Sequence, residues 1–531
     1  MKGIFKPLTV VLVTALGLNT AVFAGNDNQQ NKTLQVPLRF ICEAQGANVA
    51  WDDQTGTAIV TANENKLAVK PGSRQAEINN KPVVLDQEIS LVDERVKVPL
   101  SLLNDALQLK LTEDDCLKVL ALKYVELLSK GSASDCQMLF GSTLRQIVTT
   151  GLIQQLGLSL NSLGELKQVD ITVRKNGIHQ NVAIRYVSAV MGQFDYIVRF
   201  TYDGLIDDVM IKPEASTLPY KAPEYDKKDT YTEKEVVIGQ GPWQLPGTLT
   251  LPKGEGPFPV VVLVHGSGPN DRDETLGPLK SFRDLAIGLA SKNIAVLRYE
   301  KRSLEHNLKF ALIPKVTVKE ETVDDAVSAV NFLTTVGEID KSKIFVLGHS
   351  QGGLLVPRIL KEDGKGNIRG AVIMSGNTRP LEDLLMEQYQ YLLGLNLATQ
   401  QQYEAIKIQA SLLKSPEFNP ENPPKGFTLG TPYWWADLKS YKPAEAVKSE
   451  TKPLLVMQGE RDYQVSAAAD FTGWKDALAG KSNATFKLYP KLNHMYTEGE
   501  GKLSTPMEYY TPANVPLYVI EDIAQWIAAI K

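Results

Sequence analysis

Residues 233–531 predict an α/β fold, a mostly parallel sheet with helices on both faces. Three observations lead there. Strand-like and helix-like stretches alternate through this part of the chain, the rhythm of parallel strands joined by crossover helices. At its centre, the apolar run Ile344–Leu347 passes through Gly348-His349-Ser350-Gln351-Gly352 into the apolar helix start Gly353–Leu360. Further on, Asp462 and His494 follow Ser350, each just past a strand-like run.

The amino terminus has a basic, then apolar, then polar pattern. Lys2 and Lys6 are basic, Leu8–Val22 is apolar, and Val22-Phe23-Ala24 precedes the polar Gly25-Asn26-Asp27. That is the pattern of a secretory signal peptide over residues 1–24, cleaved after Ala24. The apolar run is short for a membrane span, and no later segment is long and apolar enough to cross a bilayer. The expectation is an exported protein, secreted or associated with the cell wall. The net charge over 531 residues is -4 and no Lys/Arg run forms a phosphate-binding patch, so nucleic acid is not an expected partner. Cys42, Cys116 and Cys136 are too few for a disulfide scaffold. Either Cys116 pairs with Cys136, or all three are reduced core residues.

Residues 33–112 contain a weak internal repeat. Val36-Pro37-Leu38-Arg39-Phe40-Ile41 returns as Val98-Pro99-Leu100-Ser101-Leu102-Leu103, each followed by a short amphipathic helix pattern. Between them lie Asn48-Val49-Ala50-Trp51, a turn over Asp52–Gly56, the strand-like Thr57–Thr61 and two further strand pairs. This stretch resembles the stalk-type module known as copper amine oxidase N-terminal-like. The resemblance implies a part used for spacing or surface attachment, not a copper site, because the segment holds no histidine.

Residues 114–213 change character. Leu117–Leu128 and Leu144–Leu156 are helix-periodic, and four alternating stretches follow at Val169–Val173, Val182–Tyr186, Tyr196–Phe200 and Ile206–Ile211. Helices followed by an antiparallel meander make a small α+β domain. His179 falls in the turn Asn176–His179 and reads as a solvated loop residue. The polar, proline-bearing residues 214–232 read as a linker.

In the last part, Val236–Leu251 gives two antiparallel lead-in strands. Strands follow at Val260–Val264, Ile294–Arg298, Ile344–Leu347, Gly370–Met374, Leu454–Met457 and Thr485–Tyr489. Helices are predicted at Phe282–Lys292 and Val323–Thr335, where Asp324 and Asp325 suit the dipole of the first turn, and at Leu517–Ile530. An insertion over residues 381–441, after the sixth strand, carries two helical stretches and Tyr433-Trp434-Trp435. It stands where a cap belongs, and its aromatics either line a substrate pocket or pack the cap onto the core.

A strand, a tight turn with serine at its apex and a helix make the nucleophile elbow of α/β-hydrolases. Gly348 and Gly352 leave room where a Cβ would collide. A serine hydroxyl needs a base and a carboxylate to orient that base. Of the five histidines, His349 should point away from Ser350, His265 ends a strand, His306 follows a charged loop and His179 lies in another domain. His494, past the last strand, remains as the base. The acid is expected after the preceding strand, at Asp462, with Glu460 as its rival; Asp470 and Asp476 read as solvent-facing. The oxyanion hole is expected from the backbone N–H groups of Gln351 and Ser267. Nothing in the pattern calls for a cofactor or a metal.

His265–Pro269 (HGSGP) with Asn270–Asp273, Arg298–Arg302 (RYEKR), GHSQGG, Gly459–Asp462 (GERD) and Leu492–His494 (LNH) together resemble the secreted α/β-hydrolase esterases of the dienelactone-hydrolase-like group. The likeness spans residues 233–531 and implies a carboxylesterase acting on small-molecule, short acyl esters. Glu300 and Ser303 stand where relatives often have Asp and Gly. A serine peptidase of the prolyl-oligopeptidase type would use the same triad, but the N-terminal half has no repeat of four-strand blades. A non-catalytic wall-binding protein would show a damaged triad. An acyltransferase would differ only in excluding water.

Overall fold

Two bodies of structure share the chain, one within Phe23–Glu214 and the other from Ala215 to Lys531. The computed structural model describes residues 35–92, 95–214 and 218–530. The expected signal peptide lies outside these residues. Among them, no helix is long and apolar enough to cross a membrane.

In the N-terminal body the two repeat copies find each other. Gln35–Pro37 pairs antiparallel with Arg95–Pro99, with Val36 opposite Val98, both fully buried. Each copy then turns at its proline into a helix, Leu38–Ala44 and Leu100–Leu107. These begin immediately after the prolines, earlier than the expected Cys42 and Asn104. A five-stranded antiparallel meander over residues 48–84 lies between the copies. Helix Glu113–Ser129 opens the next part on a capping box from Thr112 and Asp115. The single helix expected over Leu144–Leu156 is two, Ser142–Ile147 and Thr150–Asn161. Thr149 divides them because its hydroxyl accepts from Leu152 N (3.2 Å) as an N-cap. A four-stranded meander over Lys167–Pro213 follows in simple sequential order. His179 is not the solvated loop residue expected, since its ring contacts the Asp207 carboxylate at 2.8 Å. All three cysteines are free and buried, and burial pushes each thiol up to about 12.

The second body is built on eight strands: β1 (Tyr231–Ile238), β2 (Leu245–Pro252), β3 (Phe258–Val264), β4 (Ala295–Tyr299), β5 (Ile339–His349), β6 (Ile368–Met374), β7 (Leu454–Gly459) and β8 (Ala484–Tyr489). Their order is β1-β2-β4-β3-β5-β6-β7-β8. β1 and β2 run antiparallel to their neighbours, and every pairing from β4 to β8 is parallel. Side-chain alternation explains why the central strands are apolar throughout. In β3, Val260, Val262 and Val264 face one core cluster and Val261 and Leu263 the other. β5 divides Ile344 and Val346 from Phe345 and Leu347 in the same way. Helices α1 (Ser281–Ala290), α2 (Asp324–Leu333), α3 (Gln351–Glu362) and α4 (Leu381–Gly394) follow β3, β4, β5 and β6. α5 (Gln400–Lys414) and α6 (Pro432–Ser440) complete the insertion, and α7 (Leu517–Ala529) closes the chain. α1 and α7 supply one core cluster, α2 and α3 the other.

Two expectations change here. Residues 218–230 are not a free linker: Tyr220 donates its hydroxyl to Asp284 of α1 and Tyr225 to the Val515 carbonyl, each at 2.6 Å, and β1 begins at Tyr231. Asp325 does more than meet a helix dipole. It is buried and takes a two-pronged contact from the Arg302 guanidinium.

Candidate active site

β5 delivers Ser350 to the apex of a turn at φ 53° and ψ -115°, and α3 starts at the next residue. A non-glycine residue in this region costs on the order of 1–3 kcal/mol and persists only where its surroundings enforce it. They do so here. Ser350 N donates to Met374 O of β6 (2.9 Å), and Ser350 O accepts from Leu354 N (2.9 Å). A Cβ on Gly348 would lie 2.2 Å from Gly352 O, and one on Gly352 would lie 2.3 Å from Val264 O. Both neighbours must therefore lack one.

β7 ends in a turn that lays out Asp462. Its Oδ1 accepts from Gln464 N (2.8 Å) and Val465 N (2.9 Å), and its Oδ2 from His494 Nδ1 (2.7 Å) and Gln458 Nε2 (2.9 Å). Burial pushes this carboxyl upward, but His494 and the backbone donors more than offset it, holding it below the usual carboxylate range. The loop after β8 presents His494. There the Asn493 carboxamide accepts from Met495 N (3.0 Å) and Thr497 N (3.1 Å) and donates to Thr497 Oγ1 (2.8 Å). The rival Glu460 is exposed. Asp476 is exposed as expected, whereas Asp470 is buried, bound to Arg379 and to Thr378 N. Its sequence position in a helical stretch hid that partner.

The elbow and the His494 loop touch directly. His349 Nε2 lies 2.9 Å from the His494 carbonyl, and the two rings stand 4.7 Å apart. His349 thus points away from Ser350, as expected, and onto the His494 loop. Its Nδ1 is 2.9 Å from Glu274.

The loop after β3 comes up against the serine, since a Cβ on Gly266 would sit 3.1 Å from Ser350 Cβ. Gly266 N donates to Glu274 Oε1 (2.7 Å) and Gly266 O accepts from Lys301 Nζ (2.7 Å). With the Gly266 N–H engaged, the exposed Ser267 is the next backbone position along this loop. Gln351 opens α3, where helix N–H groups have no intrahelical acceptor. Its side chain turns away to Glu321 (2.9 Å), which also accepts the indole N–H of Trp434 (2.7 Å) and pairs with Lys301 (3.1 Å). Of the two insertion tryptophans, Trp434 packs toward the core and Trp435 sits in the insertion's own cluster with Leu413 and Phe427. They pack the cap.

Glu274, Lys301 and Glu321 escaped the sequence reading. Glu274 and Lys301 lie in loops and Glu321 in a helical turn over Lys319–Val323, where a charged residue is indistinguishable by pattern from a solvated one. The carboxylates and imidazoles near the elbow lie against one another, Asp462 with His494 and Glu274 with His349. A cavity of about 500 Å³ lies between α4 and the Asp462 loop, lined by Tyr391, Leu395, Asp462, Tyr463 and Leu503 among others.

The chain is similar to several known proteins. Residues 261–502 match the model of the alpha/beta hydrolase family, and residues 21–120 that of the copper amine oxidase N-terminal domain. Esterase EstD of Thermotoga maritima is 39% identical over 337 residues, covering 63% of this chain and 77% of EstD. Among solved structures, Est1E from Butyrivibrio proteoclasticus with ferulic acid bound is 18% identical at a TM-score of 0.37, over 56% of this chain and 98% of that one. The acylaminoacyl peptidase of Pyrococcus horikoshii is 13% identical at 0.39, over 69% and 51%. With a serine at a strained elbow, an Asp462–His494 pair on the loops after β7 and β8 and a relative this similar, the chain belongs to the alpha/beta hydrolase family.

Proposed function

We propose that the protein is a secreted serine carboxylesterase that hydrolyses short-chain esters through an acyl-enzyme. The observation that carries this reading is the 2.7 Å Asp462–His494 pair, on a loop whose His494 carbonyl lies 2.9 Å from the ring of His349, the residue before the elbow serine. Similarity to a protein named as an esterase favours esters over peptides. Export rests on the leader-like residues 1–24.

In this mechanism Ser350 Oγ attacks the ester carbonyl while His494 takes its proton. Asp462 fixes the imidazole through Nδ1, which leaves Nε2 as the proton-transferring nitrogen. The Gln351 and Ser267 N–H groups receive the charge that develops on the carbonyl oxygen, each donor being worth about 3–4 kcal/mol of barrier. Collapse expels the alcohol with the proton from His494. Water, deprotonated by the same imidazole, then releases the acid and restores Ser350. The cavity beside Asp462, about 500 Å³, lies in the lower half of the range of about 300–1,000 Å³ for small-ligand sites, which favours short acyl or alcohol groups.

The test is a panel of p-nitrophenyl esters of increasing chain length beside peptide substrates, run on the wild type and on Ser350→Ala. Ester turnover that declines with chain length and vanishes in the variant is expected. Peptide turnover without ester turnover refutes the esterase reading, and full activity in Ser350→Ala refutes the nucleophile.

A further inference from the structure

We propose that Glu274 and His349 form a buried carboxylate–imidazolium couple that positions the oxyanion loop and the catalytic base together. The positioning role rests on the reading of Ser350 and His494 as nucleophile and base; the charge state of the couple does not.

His349 stands between two oxygen atoms. Its Nε2 lies 2.9 Å from the carbonyl oxygen of His494 and its Nδ1 lies 2.9 Å from Glu274 Oε2. A neutral imidazole has one N–H and one lone pair. A neutral ring would leave the Glu274 carboxylate, 2.9 Å away, without a counter-charge in a site where both side chains are nearly inaccessible, at 4% and 6% exposure. The Nε2 contact is a hydrogen bond and the Nδ1 contact an ion-pair distance without hydrogen-bond alignment, and a cationic ring is the state that gives the buried Glu274 carboxylate its counter-charge.

Its surroundings sustain that charge. Glu274 touches it from the turn before Thr275, Asp462 adds a second carboxylate from the β7 loop, and the His494 carbonyl accepts from it. The other groups facing it are the His494 ring and the edge-on ring of Phe282 on α1. His265 stays neutral, its imidazole lowered to about 4 by burial. Burial alone lowers the His349 imidazole too, but Glu274 and the carbonyl reverse this and raise it above its ordinary value.

Glu274 completes the device. Its other oxygen accepts the Gly266 N–H at 2.7 Å, and Gly266 is the residue packed against Ser350. One carboxylate therefore grips the oxyanion loop with one oxygen. With the other it holds the cation whose far N–H grips the backbone of the base. Glu274 adopts φ 50° to do this, a conformation uncommon for a residue with a side chain. Loss of the His349 proton frees the His494 loop without touching the His494 ring. This adds a titration to the alkaline side of the activity profile.

The direct test is ¹⁵N NMR of the histidine side chains in the full protein at pH 8, where an ordinary imidazole is neutral. With five histidines, His349→Gln assigns the resonance. Both His349 nitrogens are expected at protonated shifts, and a neutral tautomer overturns the proposal. Glu274→Gln, which keeps an acceptor for Gly266 but removes the charge, is expected to leave His349 neutral at pH 8. It should move the alkaline limb of kcat toward lower pH and lower kcat by up to about 10²-fold with KM little changed. An alkaline limb that does not move, with kcat retained, also overturns it. If Glu274→Gln fails to fold, the wild-type spectrum decides alone. Full activity in Ser350→Ala beside a protonated His349 would fault the proposed nucleophile and not the couple.

Discussion

Trp434 donates its indole N–H to Glu321 across 2.7 Å, and through that bond the inserted helices reach the underside of the elbow. Glu321 also accepts from Gln351 and pairs with Lys301, which in turn holds Gly266 O. Trp434→Phe keeps the ring and removes the donor. A buried carboxylate short of one partner costs about 1–3 kcal/mol, so the urea midpoint should fall accordingly. An unchanged midpoint would show that the bond carries no stability.

Asp462→Asn should lower kcat by about 10⁴-fold, because an amide cannot hold His494 in the required tautomer. Glu460→Gln, changed on an exposed side chain two residues away, should leave kcat within twofold. Steady-state kinetics on one ester distinguishes them, and equal losses would mean that the acid is misassigned.

Glu300 gives a pH signature. Burial raises its carboxyl from 4.5 to about 7 despite the Arg272 guanidinium at 2.7 Å. The native protein therefore holds this proton more tightly than the unfolded chain, so its contribution is full below pH 4.5 and is lost as pH rises toward 7. Glu300→Gln should flatten the decline in urea midpoint across that interval. A variant with the wild-type slope would refute the assignment.

Gly352→Ala places a methyl group 2.3 Å from Val264 O. Backbone, not a flexible side chain, is in the way, so strand β3 or the elbow must shift. A loss of about 1–3 kcal/mol is expected, with kcat falling further than stability predicts because Ser350 moves with the turn. Thermal melts and kinetics on the same preparation check both.

Much of this was legible in the sequence. Strand after strand showed itself by apolar runs, because burial on both faces leaves no polar position to blur them. The pairing of Asp462 with His494 followed from their places after successive strands. What stayed hidden was charge that is buried. Asp470 and Asp325 sit in helical stretches where acids usually meet water, and Glu274 lies in an irregular turn without periodicity. Whether such a residue faces solvent or a partner depends on which distant loop arrives opposite it: Arg379 for Asp470, Arg302 for Asp325, His349 for Glu274. Local pattern has no access to that.

The self-pairing repeat of the N-terminal body has a mechanical consequence. Gln35 lies opposite Pro99 and Pro37 opposite Lys97, so the points where the chain enters and leaves this ladder are side by side. Tension applied at the two ends pulls at one rung at a time, as in a zip, instead of shearing all rungs together. The module should open at low force and release residues 38–94 as slack. An optical-trap trace in which it yields only in a late, high-force step would contradict this.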